Sequence, residues 1–337
     1  MTDGTSGRTT KIWRDGQMVN WEDATIHVMS HVVQYGSNVF EGIRCYDTPA
    51  GPALFRLSEH IRRLHDSCTI YRMSLPYSIP ALVQACVETV SANELRHCYL
   101  RPVVLRVGEE MGVYPLDVPL SVFIIAWKWG RYLGQEGVRN GVDICVSSWR
   151  RPAPDTFPGL AKAGGNYLNS QLSKIEARQN GFIEGVMLDV AGRIAEGSGE
   201  NIFLVRDGVL YTPPLSAGIL HGITRDSIMR IARDLGHEVR EQELPREMLY
   251  VADEAFFCGT AAELTPIRSV DQVVLGNGTP GPITVAIQQQ FMGIATGQLE
   301  DRYGWLTLVP EAMAAASGAD GASRTSTAYP AAHSPAR

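Results

Sequence analysis

The chain has 337 residues, of which 20% are charged, with 30 basic against 36 acidic side chains and a formal net charge of −6; the basic residues are scattered apart from short pairs such as Arg62-Arg63 and Arg150-Arg151. That distribution argues against a nucleic-acid partner. The longest apolar run, Val122 to Trp127, stops at Lys128 and falls far short of the ~20 residues that cross a bilayer, so no membrane partner is expected.

The length exceeds the roughly 250–300 residues at which a single core stops growing, which predicts two domains. Residues 1–10 read as a disordered arm. A smaller N-terminal α/β domain over 11–129 opens on Ile12 to Val19, where Asp15-Gly16 between apolar-polar alternations predicts a hairpin. A strand is expected across Phe40 to Tyr46. Ser58 is then the expected N-cap of an amphipathic helix with the face Ile61, Leu64, Cys68 and Tyr71. Strands from Cys98 to Val107 and from Ser121 to Trp127 complete this unit.

Residues 130–137 carry three glycines and neither periodicity, so the interdomain connection is placed there, over the cleft. The larger C-terminal domain, 138–313, begins with strands at Val142 to Val146 and Gly185 to Val190, separated by a helix from about Asn166 to Asn180. Asp207-Gly208 predicts a second hairpin. Thr224 is expected to cap a helix with the face Ile228, Ile231 and Leu235, stopped by Gly236. Ala255 to Cys258 reads as a short buried strand, and the Ala/Ser/Gly/Pro mixture of 314–337 as a disordered tail that carries no chemistry.

Six cysteines (Cys45, Cys68, Cys86, Cys98, Cys145 and Cys258) show no metal-like spacing, and no signal sequence is expected before them. Reduced thiols in a cytoplasmic protein without a metal are expected.

Lys162 is one of only four lysines and sits in the bare segment Gly159 to Tyr167, rich in Ala and Gly. A chain that uses arginine for surface charge has reason to keep a lysine where an amine must give up its proton, which a guanidinium cannot do. Glu196, flanked by Ile194 and Ala195, is costly to bury unless a cation or a proton meets it. Gly222 precedes a helix whose free N–H groups favour an anion, and Gly259-Thr260-Ala261-Ala262 is a second nest of N–H groups at a strand end. Either Arg62 or Arg63 could turn inward toward that anion; spacing leaves both open. Tyr167 could return its phenol toward Lys162, although tyrosines also simply pack. An amine beside a positioned acid points to Schiff-base chemistry.

Together these segments resemble the class IV pyridoxal-phosphate aminotransferases, and within them the bacterial branched-chain amino acid aminotransferases. The resemblance runs from about Ile12 to Pro310. It is carried by Gln34 to Arg44, Arg63-Leu-His-Asp-Ser67, Tyr99-Leu-Arg101, Trp129-Gly, Ser147 to Arg150, Lys162 to Tyr167, and the composite of Glu196, Asn201, Thr212, Leu220, Gly222 and Arg225.

The resemblance implies a two-domain fold-type-IV α/β (α+β) architecture and a homodimer with shared active sites, which could assemble further into an oligomer of dimers. It implies pyridoxal 5'-phosphate as cofactor, with Lys162 as its Schiff-base lysine and Glu196 at the ring nitrogen. Tyr167 would meet the phenolate oxygen, Leu220 the ring, and Arg63, Ile223, Thr224 and Thr260 the phosphate. For substrate it implies Phe40, Tyr99, Trp129 and Tyr132 as an aromatic pocket, with Thr260 and Ala261 at the α-carboxylate. Arg101, with Tyr35 and Val113 of the partner subunit, would take the side-chain carboxylate of glutamate. The implied reaction transfers an amino group between L-leucine, L-isoleucine or L-valine and 2-oxoglutarate by ping-pong kinetics. His221, where the group often has proline, and the acidic, bulky loop Glu109 to Tyr114 depart from the pattern beside the pocket. They leave open a specialised amine aminotransferase; the same lysine and acid would also serve a D-amino acid aminotransferase or an aminodeoxychorismate lyase, and a non-catalytic cofactor-binding protein is the remaining alternative.

Overall fold

The two Asp-Gly pairs form the tight turns that their sequence predicts. Asp15 and Gly16 take φ values of 46° and 94°, pairing strand Lys11–Arg14 with Gln17–Asn20, and Asp207 and Gly208 do the same at 50° and 76° between Asn201–Arg206 and Val209–Thr212. Positive φ at both turn positions matches the twist of the flanking strands. These come from a computed structural model that describes residues 8–130 and 133–310. Tyr132, most of the expected N-terminal arm and the expected tail at 314–337 lie outside the described residues.

Among the described residues there are two sheets. The first runs in the order Leu306–Leu308, Gly51–Phe55, Ile43–Thr48, Cys98–Arg106, Leu120–Trp127, Lys11–Arg14, Gln17–Asn20, with the short strand Asn38–Phe40 also paired to Cys98–Arg106. All its pairings are antiparallel, and its Leu306–Leu308 edge comes from far along the chain. The second sheet is mixed. It runs Ile194–Gly197, Glu184–Leu188, Val142–Arg150, Glu263–Val270, Glu254–Gly259, Asn201–Arg206, Val209–Thr212, Val239–Glu241, with Val273–Val274 paired to Glu263–Val270. Helix Asn166–Gln179 lies in the chain between the parallel pair Val142–Arg150 and Glu184–Leu188, the crossover a parallel pair requires.

The first core packs helices Leu57–Ile70 and Ile79–Ala92 on the first sheet through Ile61, Leu64, Cys68, Leu82 and Val90. A second cluster joins the two sheets: Tyr46 and Phe55 of the first meet Phe203, Phe256, Phe291 and Trp305. All six cysteines are free and buried. No helix among the described residues is long and apolar enough to cross a membrane.

Four local expectations change. The strand expected across Phe40 to Tyr46 is split into Asn38–Phe40 and Ile43–Thr48. Glu41 breaks it, its carboxylate turned onto Arg63 and His60. Ser58 lies inside its helix, because the cap position is Arg56, held at φ 52° with its side chain donating to Asp226, Ser227 and the Ile223 carbonyl. Thr224 likewise falls in the first turn of helix Ile223–Asp234 after Gly222, and Leu235 ends that helix exposed. Helix Gly134–Asn140 begins inside the stretch read as 130–137, where glycine content masks a short helix.

Candidate active site

A cavity of about 640 Å³ is lined from both sheets. Into it the fold brings Lys162, Tyr167, Glu196, Leu220, Ile223 and Thr224, together with Arg63, Phe40, Tyr99, Arg101, Trp129, Thr260 and Ala261.

Lys162 sits on a loop that its neighbours make rigid. The Phe40 N–H donates to the Lys162 carbonyl (2.9 Å), the Gly164 N–H to the Asn38 carbonyl (3.1 Å), and the Lys162 N–H to Ser67 Oγ (3.0 Å). Val39 and Ala163 form an isolated antiparallel bridge. Strand Asn38–Phe40 and helix Leu57–Ile70 therefore hold the lysine from the other sheet's side of the cavity. Its Nζ donates to the Tyr167 hydroxyl at 2.6 Å and lies 5.0 Å from the centre of the Phe40 ring.

Glu196 reaches the cavity through a bulge. Strand Ile194–Gly197 slips register against Glu184–Leu188 between Ile194 and Glu196, so Ile194 packs into the core while Glu196 joins the cavity wall. Bulges of this kind re-aim side chains beside active sites. Burial raises the Glu196 carboxyl from its ordinary range, opposed by the Arg151 charge and the Leu220 N–H. Arg151 Nη2 meets Oε1 at 3.0 Å, while the Leu220 N–H and Asn201 Nδ2 each donate to Oε2 at 3.1 Å.

The anion end is the start of helix Ile223–Asp234. A Cβ at Gly222 would overlap Asn201 Oδ1, so a side chain here would displace the amide that donates to Glu196. Arg63, rather than Arg62, turns inward and donates from Nη1 to the His221 carbonyl (2.8 Å) in the approach to that helix.

At the other end Arg101 is wrapped in aromatic rings, with Cζ 4.5 Å from the Phe40 centroid, 5.5 Å from Tyr99 and 5.8 Å from Trp127. Its Nε is buried without a hydrogen-bond partner. Tyr99 packs edge-on against Trp129 at 4.6 Å, and a Cβ at Gly42 would overlap the Tyr99 hydroxyl. Tyr35 and Val113 are not in this lining; they are 42% and 89% exposed, beside one another through the Gly112 N–H, which donates to the Tyr35 hydroxyl.

The family model of amino-transferase class IV matches residues 38–270. The chain is 53% identical over 306 residues to the branched-chain-amino-acid aminotransferase of Escherichia coli (strain K12), covering 90% of this chain and 99% of that one. The chain belongs to the class IV aminotransferases. The crystal structure of the Escherichia coli branched-chain amino acid aminotransferase superimposes with a TM-score of 0.88, at 53% identity, over 90% of this chain and 100% of that one. That of the branched-chain amino acid aminotransferase from Thermobaculum terrenum in its PLP form does so at 0.85, with 36% identity, over 90% and 99%.

Several residues of this class IV aminotransferase that shape the site were not assigned from sequence. Arg151, in sequence only half of a basic pair, is buried and meets Glu196. Arg44 is buried with its guanidinium on the carbonyls of Thr260 (3.2 Å), Ala261 (3.0 Å), Trp129 (3.4 Å) and Gly130 (3.2 Å), which fixes the turn at one wall of the pocket. Trp127, Glu41, His60 and Ser67 complete the group. A spacing signal for the helical members does exist: Arg56, His60, Arg63 and Ser67 recur at four, three and four residues, one face of a helix.

Proposed function

We propose that this class IV aminotransferase transfers amino groups between L-leucine, L-isoleucine or L-valine and 2-oxoglutarate, using pyridoxal 5'-phosphate. The observation that carries it is the placement of the Lys162 amine, the Tyr167 hydroxyl at 2.6 Å and the buried Glu196 carboxylate in the wall of one cavity. The donor set fits the cofactor. Arg63 and the N-terminus of helix Ile223–Asp234 suit a phosphate. Glu196, whose carboxylate is costly to bury, suits a protonated ring nitrogen. Lys162 offers the amine and Tyr167 a phenol for the ring oxygen, while Leu220, Thr224 and Thr260 complete the holding set.

When bound, pyridoxal 5'-phosphate supplies a carbonyl carbon that takes up the amino group and a ring that draws the electron pair from the Cα–H bond. Lys162 Nζ would be the base that takes the proton from the substrate Cα and delivers it to the cofactor carbon that retains the amino group, with Tyr167 orienting that amine. Glu196, held by Arg151, Asn201 and the Leu220 N–H, keeps a proton at the ring nitrogen. Phe40, Tyr99 and Trp129 exclude water around an aliphatic side chain. Arg101 receives the second carboxylate of glutamate, its desolvation offset in the meantime by the rings that enclose it.

Tyr35 and Val113 take part from the partner subunit of a homodimer, which accounts for their exposure in a single chain. The small domain comprises 11–129 with the returning strand Leu306–Leu308 as its edge, the large one begins with helix Gly134–Asn140, and the protein works in the cytoplasm.

The test is turnover by the purified protein with added cofactor. L-Leucine with 2-oxoglutarate should yield glutamate and the 2-oxo acid of leucine with ping-pong kinetics, and Lys162→Ala should abolish this while still binding cofactor. Turnover confined to D-alanine or to aminodeoxychorismate would replace the substrate class, and undiminished turnover by Lys162→Ala would remove the mechanism.

A further inference from the structure

Behind Arg63 lies a group of buried polar side chains that the proposed reaction does not use. The Glu41 carboxylate is fully buried and accepts Arg63 Nε on Oε1 (2.6 Å) and Arg63 Nη2 on Oε2 (2.9 Å). His60, also buried, lies with Nδ1 2.7 Å from Glu41 Oε2. An ionised carboxylate only accepts, so His60 is the donor. The Gly42 N–H adds a fourth contact at 3.2 Å.

Burial alone would raise the Glu41 carboxyl, but the Arg63 and His60 charges and hydrogen bonds outweigh it and hold it well below the usual range. Burial pushes the His60 imidazole down.

The geometry has a direction. Of the five N–H donors of a guanidinium, Glu41 takes Nε and one on Nη2, and the His221 carbonyl takes one on Nη1. The donors left over are on the terminal nitrogens of a residue that lines the cavity. An ion pair this deep adds little to folding that a well-packed apolar pair would not. Held on one edge by Glu41 and at one tip by His221, however, the guanidinium loses the freedom to swing, and its remaining donors face a fixed place.

We propose that Glu41, braced by His60, is a positioning residue for Arg63 and so sets how strongly the site holds the phosphate group of its cofactor. This rests on the function proposed above.

The experiment compares pyridoxal 5'-phosphate with unphosphorylated pyridoxal as ligands of the full-length, cofactor-stripped protein. The ratio of their two dissociation constants reads the phosphate end alone, because loss of folded protein or of the lysine contact weakens both ligands together. Wild type should favour the phosphorylated form strongly. Glu41→Gln should cut that preference by about tenfold, the worth of one charge-assisted hydrogen bond. In an Arg63→Ala background, Glu41→Gln should change the preference no further. His60→Asn, which leaves the Glu41–Arg63 pair in place, should lower it by a smaller factor and decides the matter if Glu41→Gln does not fold.

An unchanged preference in the Glu41→Gln or His60→Asn variant overturns the proposal. So does a higher preference, because it would mean that Glu41 only masks the charge of Arg63. A wild type that binds both ligands equally would remove the phosphate site and the function proposed above, which is a different failure.

Discussion

The hydroxyl of Ser67 accepts the backbone N–H of Lys162 at 3.0 Å, across 95 residues of chain. Ser67 is fully buried and stands one helical turn after Arg63, so a single helix face ties down both the amine-bearing loop and the anion end of the cavity. Ser67→Ala leaves that N–H without a partner, at a cost of about 1–3 kcal/mol. Because a misplacement of about 1 Å can cost a hundredfold in rate, kcat for leucine should fall by more than tenfold while its KM changes little. A variant that melts earlier but turns over at the wild-type kcat would show that the contact serves only the fold.

Glu196 and Arg151 form a buried pair at 3.0 Å. Glu196→Gln keeps the shape of the side chain and the contacts from Asn201 and Leu220, but removes the charge that would hold a proton on the ring nitrogen. The variant should retain stoichiometric cofactor, read by its absorbance after gel filtration, and lose about a hundredfold or more in kcat. A rate near wild type would give the ring nitrogen another partner.

What the sequence made legible follows the range of the forces involved. Hairpins at Asp15-Gly16 and Asp207-Gly208 are set by the φ preferences of two adjacent residues, and both form where they were expected. Lys162 stood out because its neighbours are small and lysine is rare in the chain, and it does line the cavity. Glu41, Arg44 and Arg151 escaped because their meaning depends on groups far along the chain: Glu41 on Arg63, Arg44 on the carbonyls of Thr260 and Ala261, Arg151 on Glu196. The cap expected at Ser58 moves to Arg56 for the same reason. Arg56 accepts a left-handed backbone in order to reach Asp226 and Ser227, a tertiary contact that overrides the local capping preference.

Arg101 is enclosed by Phe40, Tyr99 and Trp127, and its Nε has no partner. A second carboxylate on the substrate can supply one, whereas leucine cannot. Arg101→Leu should therefore lower kcat/KM for glutamate by about a hundredfold, in line with the loss of a buried charge pair, and that for leucine by less than tenfold. Half-reactions followed separately by stopped-flow absorbance distinguish the two, and equal losses would end the dual-substrate role of this residue.

Glu200 gives the cavity a pH dependence of its own. It lines the cavity with Oε1 buried and without a hydrogen-bond partner, and burial, followed by the neighbouring Glu184 carboxylate, pushes its carboxyl up to about 8, against the pull of Lys174 and the Gly199 N–H. An unfolded glutamate titrates near ~4.3. Between those values the folded protein keeps a proton that the unfolded chain has lost, so this contribution to stability is complete below about 4.3 and is lost as the pH rises toward about 8. The neutral form also spares Glu196 a second negative charge in the same wall. Glu200→Gln stays neutral throughout. Its melting temperature should pull ahead of wild type as the pH rises from 5 to 8.5, by roughly 1–2 °C for each kcal/mol recovered in a chain of this length, and then run parallel. Melting curves whose difference is constant across that window would mean that Glu200 is already ionised in the folded protein at pH 5.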